Sequence, residues 1–315
     1  MKDWRGSLFP SLIFVTILSP IFLLLPLVAL SGSQDKYYRV RRVVVGARNE
    51  INGVDNQPSE APRRLKRDDL PIPVSDETWK VFEDIQKIHN MTIEFDPTWR
   101  NGKVSRNVLA QFSVNPSRFR IGIIIYCKNV TEDILAHEAL HAQRIVRGHP
   151  FFLPVAFPER KTIQNLENEI QHFHIYELLT KMGFKSRQKD QERWRNGITI
   201  LKTQIHKIPL QAPPYVLSVI GATNTLGGLV RGMDIRKIKK ELPISLLPGI
   251  SKGVQIYEEL GRHDLSDSKE NFKVRLSVAS ILGLTARDAV IERIDFLNRK
   301  RFLYDPISGN LLQVK

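Results

Sequence analysis

The chain has 315 residues, 42% hydrophobic and 25% charged, a globular balance that excludes a disordered or fibrous polypeptide and suffices for one large domain or two ordinary ones. Its net charge of +14 leaves nucleic acid, an anionic membrane surface and acidic substrates open on charge alone. The placement of that charge argues against nucleic acid: residues 1–67 hold 11 Lys/Arg against 5 Asp/Glu, and no basic helix or aromatic-interleaved basic patch follows.

The N-terminus carries a targeting signal. An uncharged run from Gly6 to Gln34, apolar from Leu8 to Leu30, directs the chain to a membrane. Residues 1–31 read either as a cleaved signal peptide, with small Ala29 and Ser31 at the end, or as an uncleaved anchor that attaches the protein through residues 8–30. Both readings imply a membrane-associated or secreted protein. Residues 32–74 are polar and Pro-rich, a linker or prosegment. Within them Arg63-Arg64-Leu65-Lys66-Arg67 is either a dibasic processing site or a basic stretch beside the membrane.

A first helix is expected from Ser75, as N-cap, to about Asn90, with Trp79, Phe82, Ile85 and Ile88 on one face. The period then shortens. Thr92–Phe95, Val108–Val114 and Phe119–Tyr126 read as strands, the last two joined as a hairpin by Asn115-Pro116-Ser117. Cys127, the single cysteine, follows them, so no intrachain disulfide is possible and the fold rests on its core. A helix should start at Thr131, capped by its hydroxyl with Glu132 and Asp133 at the positive end, and stop at Gly148 before Pro150.

That helix carries His137-Glu138-Ala139-Leu140-His141, two histidines four apart with a glutamate after the first. On a helix this spacing aims both imidazoles at one point, which is how a zinc ion is held. Glu138 lies among apolar positions of the wheel, where an ionised carboxylate needs a role or a partner.

A strand, this helix, and a further helix carrying Leu166-Glu167-Asn168-Glu169-Ile170-Gln171-His172-Phe173 resemble the zincin metallopeptidases, most closely their gluzincin branch, over roughly residues 119–184. The resemblance implies Glu167 as the third metal ligand and Gln171 in the place of a carboxylate that orients a ligand histidine from behind. Helical geometry sets Glu167, Gln171 and His174 on one face and Glu169 on the opposite one, and Glu167 beside Ile163, Leu166 and Ile170 is favoured over Glu169. His172 and His174 remain alternatives, as ligands or as transition-state groups. Tyr176, His172 and Arg144 are candidates for stabilising an oxyanion. The metzincin pattern is absent, since Arg144 and Arg147 stand where that branch has a glycine and its third histidine.

Further on, Ser186–Lys207 reads as a charged helix and Tyr215–Val230 as a buried apolar segment. Segments near 251–261, 268–283 and 286–302 read as helices before a short polar tail. The expected architecture is α+β: a small antiparallel-type sheet packed on the His137/His141 helix within a core of residues 75–208, followed by a mostly helical part, residues 209–315. The expected activity is peptide hydrolysis. Three protein ligands on Zn2+ leave a place for water, and Glu138 acts as general base toward a peptide or protein substrate. The rival expectation is a catalytically silent, membrane-attached scaffold, against which the intact Glu138 argues.

Overall fold

A computed structural model describes residues 64–96, 109–127, 129–155, 160–204 and 214–315. The apolar run 8–30 and the linker up to residue 63 lie outside these, so neither targeting expectation is addressed. Among the described residues no helix is long and apolar enough to cross a membrane.

The architecture is α+β, with two small sheets and a helical C-terminal part. Helix α1 (Asp76–Ile88) starts as expected, the Ser75 hydroxyl accepting from the Thr78 amide. The Glu132 carboxylate accepts from both the Ser75 amide and the Thr78 hydroxyl at 2.7 Å. These bonds pin the start of α1 to the start of α2 (Glu132–Val146). The first sheet has the order β1-β3-β2, with β1 Met91–Phe95, β2 Ala110–Asn115 and β3 Arg120–Ile125. The β2–β3 hairpin is antiparallel, whereas β1 joins β3 in parallel, making the sheet mixed. Strand β3 is buried over Ile121–Ile125, as a central strand covered on both faces should be.

Helix α2 lies on this sheet through β2. Thr131 occupies its N-cap, but the expected cap bond is not made, because the Thr131 hydroxyl bonds the Asp133 side chain. The stop is as expected. Gly148 takes φ +76, and the His149 amide reaches back to the Arg144 carbonyl at 3.0 Å.

Beyond α2 the chain forms β4 (Phe151–Pro154), α3 (Arg160–Lys181), α4 (Ser186–Gln204) and α5 (Pro214–Val230). Next come α6 (Ile235–Glu241), a 3-10 turn (Ile244–Gly249), α7 (Ile250–Gly261) and α8 (Ser268–Leu282). The segment 286–302 is not the helix its apolar residues suggested; it belongs to β5 (Ala289–Asp295) and β6 (Lys300–Tyr304), and the polar tail adds β7 (Leu311–Val314). The physical reason is local. Val290, Ile291 and Ile294 are β-branched, and the Asp295 carboxylate accepts from the Asn298 amide at 3.0 Å to close a turn that ends with Arg299 at φ 51.

The second sheet, β4-β5-β6-β7, pairs Phe151–Pro154 with Ala289–Asp295. Its pairing thereby crosses the boundary expected near residue 209, and one apolar cluster runs from Leu65 to Phe296. Helix α5 is the central buried helix of the C-terminal part. Its small residues allow the turn before α7 to come within backbone contact: a Cβ on Gly221 would stand 2.2 Å from the Leu246 carbonyl oxygen. A Cβ on Gly261, at the end of α7, would meet nothing closer than Phe173 at 4.0 Å. Gly221→Ala should therefore cost roughly 1–3 kcal/mol or more in urea unfolding through overpacking, while Gly261→Ala should be neutral or slightly stabilising.

Candidate metal centre

The i, i+4 spacing on α2 sets His137 and His141 side by side, with their Nε2 atoms 3.2 Å apart. Helix α3 crosses α2 and contributes His172, whose Nε2 lies 3.0 Å from that of His137. One ligand atom from each of the three lies within 4.8 Å of the others, and all three side chains are buried. Such a cluster can hold a metal ion.

The protons test the fit. Gln171 donates from Nε2 to the Glu167 carboxylate at 2.9 Å, which turns its carbonyl Oε1 to His141 Nδ1 at 2.6 Å. A carbonyl only accepts, so His141 carries its proton on Nδ1 and presents a bare Nε2. On the other side Glu169 lies 3.4 Å from His172 Nδ1 and assigns that ring the same tautomer. Two lone pairs thus converge on His137 Nε2, which can hold one proton and point it at one of them. A cation at the centre satisfies all three. The two separations from His137 Nε2, 3.2 and 3.0 Å, are close to the roughly 3.3 Å edge of a tetrahedron with metal–nitrogen bonds of about 2.0–2.1 Å. Burial pushes the pKa of both His137 and His141 well below the ordinary imidazole value, keeping both neutral as metal ligands must be.

Glu167 occupies a different place from the one expected. Its Oε1 accepts from Arg275 at 2.6 Å as well as from Gln171, and its Oε2 accepts from the Phe152 amide at 2.9 Å. Both oxygens are engaged, and the third corner of the cluster is His172. The wheel correctly made Glu167 a buried position, but its partner is an arginine on α8. Gln171 sits where the resemblance implied, behind His141, and Glu167 holds it there. Glu169 points away from Glu167, as helical geometry requires, and forms a buried ion pair with Arg231 at 2.6 Å. Although burial opposes ionisation, Arg231 and His172 hold the Glu169 carboxyl down at about 2.

The remaining candidates divide. His174 stands outside the trio, 3.8 Å from Glu177. Tyr176 packs its ring against His137 and His172, with centroids 5.8 and 5.1 Å away, but its hydroxyl is committed to Asp190. Arg144 faces the α7–α8 loop, donating to the Leu265 carbonyl and to Asn271. Glu138 lies beside the cluster. Its Oε2 accepts from the Phe112 amide at 2.6 Å on the outer edge of β2, and the Phe112 ring stacks on His141 at 6.2 Å. Burial pushes the Glu138 carboxyl well above the usual carboxylate range.

Arg231 and Arg275, which fasten the two supporting chains, were not identified from sequence. The available signal was a lone arginine within or directly after an apolar run, Leu229-Val230-Arg231 and Val274-Arg275-Leu276, where an unpaired cation is not tolerated. In metal titrations His172→Ala should lose binding as completely as His141→Ala. Glu167→Gln should retain it, weakened about 10–100-fold, and lose about 3–5 kcal/mol of stability because Arg275 is left unpaired. The reverse ranking of His172 and Glu167 would return the third ligand to Glu167. No protein-family model, curated protein or solved structure matches this chain, so the functional argument rests on the histidine cluster and its surroundings.

Proposed function

We propose that the protein is a zinc-dependent peptidase of zincin type, acting on a peptide or protein substrate, with His137, His141 and His172 as metal ligands and Glu138 as general base. The observation that carries the reading is the position of Glu138, fixed to the Phe112 amide beside three convergent imidazoles. The donor set supports zinc among metals: neutral imidazoles suit it, and three of them leave a coordination place open. Bound there, zinc would supply a Lewis acid and lower the pKa of a coordinated water. A histidine as third ligand departs from the gluzincin pattern, so the likeness to that branch lies in the two helices and the glutamate rather than in the ligand set.

The side chains divide the work. Gln171 and Glu169 hold the His141 and His172 rings with Nε2 facing the centre. The Phe112 amide fixes Glu138 Oε2, which leaves Oε1 as the atom that would take a proton. Having taken the proton from a coordinated water, Glu138 would deliver it to the leaving amine. If uncleaved, the apolar run 8–30 would hold this activity at a membrane.

The near-complete burial of the trio favours a second reading, a scaffold whose metal is structural. One comparison separates them. In the zinc-loaded protein Glu138→Gln should keep the metal and lower kcat/KM toward peptides by at least about 10²–10⁴-fold. Stoichiometric zinc with no Glu138-dependent cleavage would instead establish the scaffold, and absence of any bound metal would refute both.

A further inference from the structure

Where α2 ends, its last turn, α3 and the α7–α8 loop enclose a cavity of about 440 Å3 that none of the three clustered histidines lines. Arg144 stands in its wall, 4% exposed. Two of its nitrogens donate to neutral acceptors, the Leu265 carbonyl at 3.1 Å and Asn271 Oδ1 at 2.8 Å, and its Nε has no partner among the described residues. Among the described residues no carboxylate is bonded to it. The Glu167 carboxylate that attracts it is already held by Arg275 at 2.6 Å. Two buried guanidinium groups therefore share one buried carboxylate, an excess positive charge that a protein interior does not ordinarily carry uncompensated.

The rest of the wall leaves that excess in place. Glu177 is paired with Lys181 at 2.7 Å, and Asp264 accepts from the Ser266 amide and hydroxyl at the mouth. Arg147 also lines the cavity, half-exposed and paired with Asp84, which Lys87 shares. His149 is buried in the wall with Nδ1 unbonded. Burial and the field of Arg144, Arg275, His174 and Arg147 push the His149 imidazole down to about 2. It is therefore neutral and can offer one N–H.

We propose that this cavity binds an oxyanion, a phosphate or carboxylate group, with Arg144 as the buried countercharge, Arg147 at the rim, and His149 as a neutral donor. Arginine suits the task because its planar fork matches either group. The inference does not depend on the metal reading, since the cavity and the trio share no residue.

The test uses the full chain, stripped of metal by chelation so that no anion can bind through an ion at the trio. Binding is followed by calorimetry and by the shift in Tm, with inorganic phosphate and acetate in separate arms against chloride at equal ionic strength. Saturable binding is expected in at least one arm. Tighter phosphate assigns the site to phosphoryl groups, and equal or tighter acetate assigns it to carboxylates. Arg147→Ala, at the solvent-facing rim, should weaken binding at least about tenfold. Arg144→Gln should abolish the anion-dependent Tm rise while leaving the unliganded protein as stable as the parent or more so, because it removes an uncompensated buried charge. A rise that never saturates, that chloride reproduces, or that persists unchanged in the rim variant would overturn the proposal.

Discussion

The buried ion pair between Arg275 and Glu167 is the joint on which the centre of the molecule depends. Both side chains are almost wholly out of water and their atoms meet at 2.6 Å. An ion pair there is tolerated only if the remaining lone pairs and protons are also satisfied. They are, by the Phe152 amide on β4, by Gln171 one turn along α3 and by Asn271 on α8. One carboxylate thereby fixes the relative positions of a strand, the helix that supplies His172, and a helix from more than a hundred residues later. Through Gln171 it also decides which nitrogen of His141 is bare. The Arg231–Glu169 pair repeats the device for His172 from the residue directly after α5.

These two pairs divide the acidic groups around the histidines. Glu167 and Glu169 are each bonded to an arginine, and their oxygens are engaged outside the cluster. Glu138 is bonded to a backbone amide, that of Phe112. Among the described residues it is the one carboxyl of the three with no arginine beside it, and the proposed proton-handling role rests on that difference. The same accounting exposes Arg144. It draws on neutral acceptors and on the distant influence of a carboxylate that belongs to Arg275, and it stands at the wall of a cavity.

Much of the near-range structure was legible. The Ser75 cap, the Asn115-Pro116-Ser117 turn, the Gly148 stop and the pairing of His137 with His141 are each decided within about one turn of chain, where spacing and side-chain chemistry act directly. The hairpin at 289–304 was misread for a related reason. A fully buried strand lacks the alternation that separates it from a buried helix, and what makes it a strand is its pairing with Phe151–Pro154, far earlier in the chain. The third corner of the cluster failed in the same way. A wheel shows that Glu167 and Glu169 lie on different faces of α3, but not which face meets α2 and which meets Arg275.

The amino-acid sequence by itself therefore determined a helix that presents two imidazoles and a carboxyl at one spot, and an α+β chain able to bury it. Tertiary structure alone decided that His172 completes the group, that Glu167 and Glu169 stand behind the rings, and that α8 and the residue directly after α5 furnish the charges holding them. The reason is physical. A carboxylate and a neutral imidazole on one helix are both plausible metal ligands until a buried cation claims the carboxylate, and Arg231 and Arg275 reach these glutamates only when the C-terminal helices have packed.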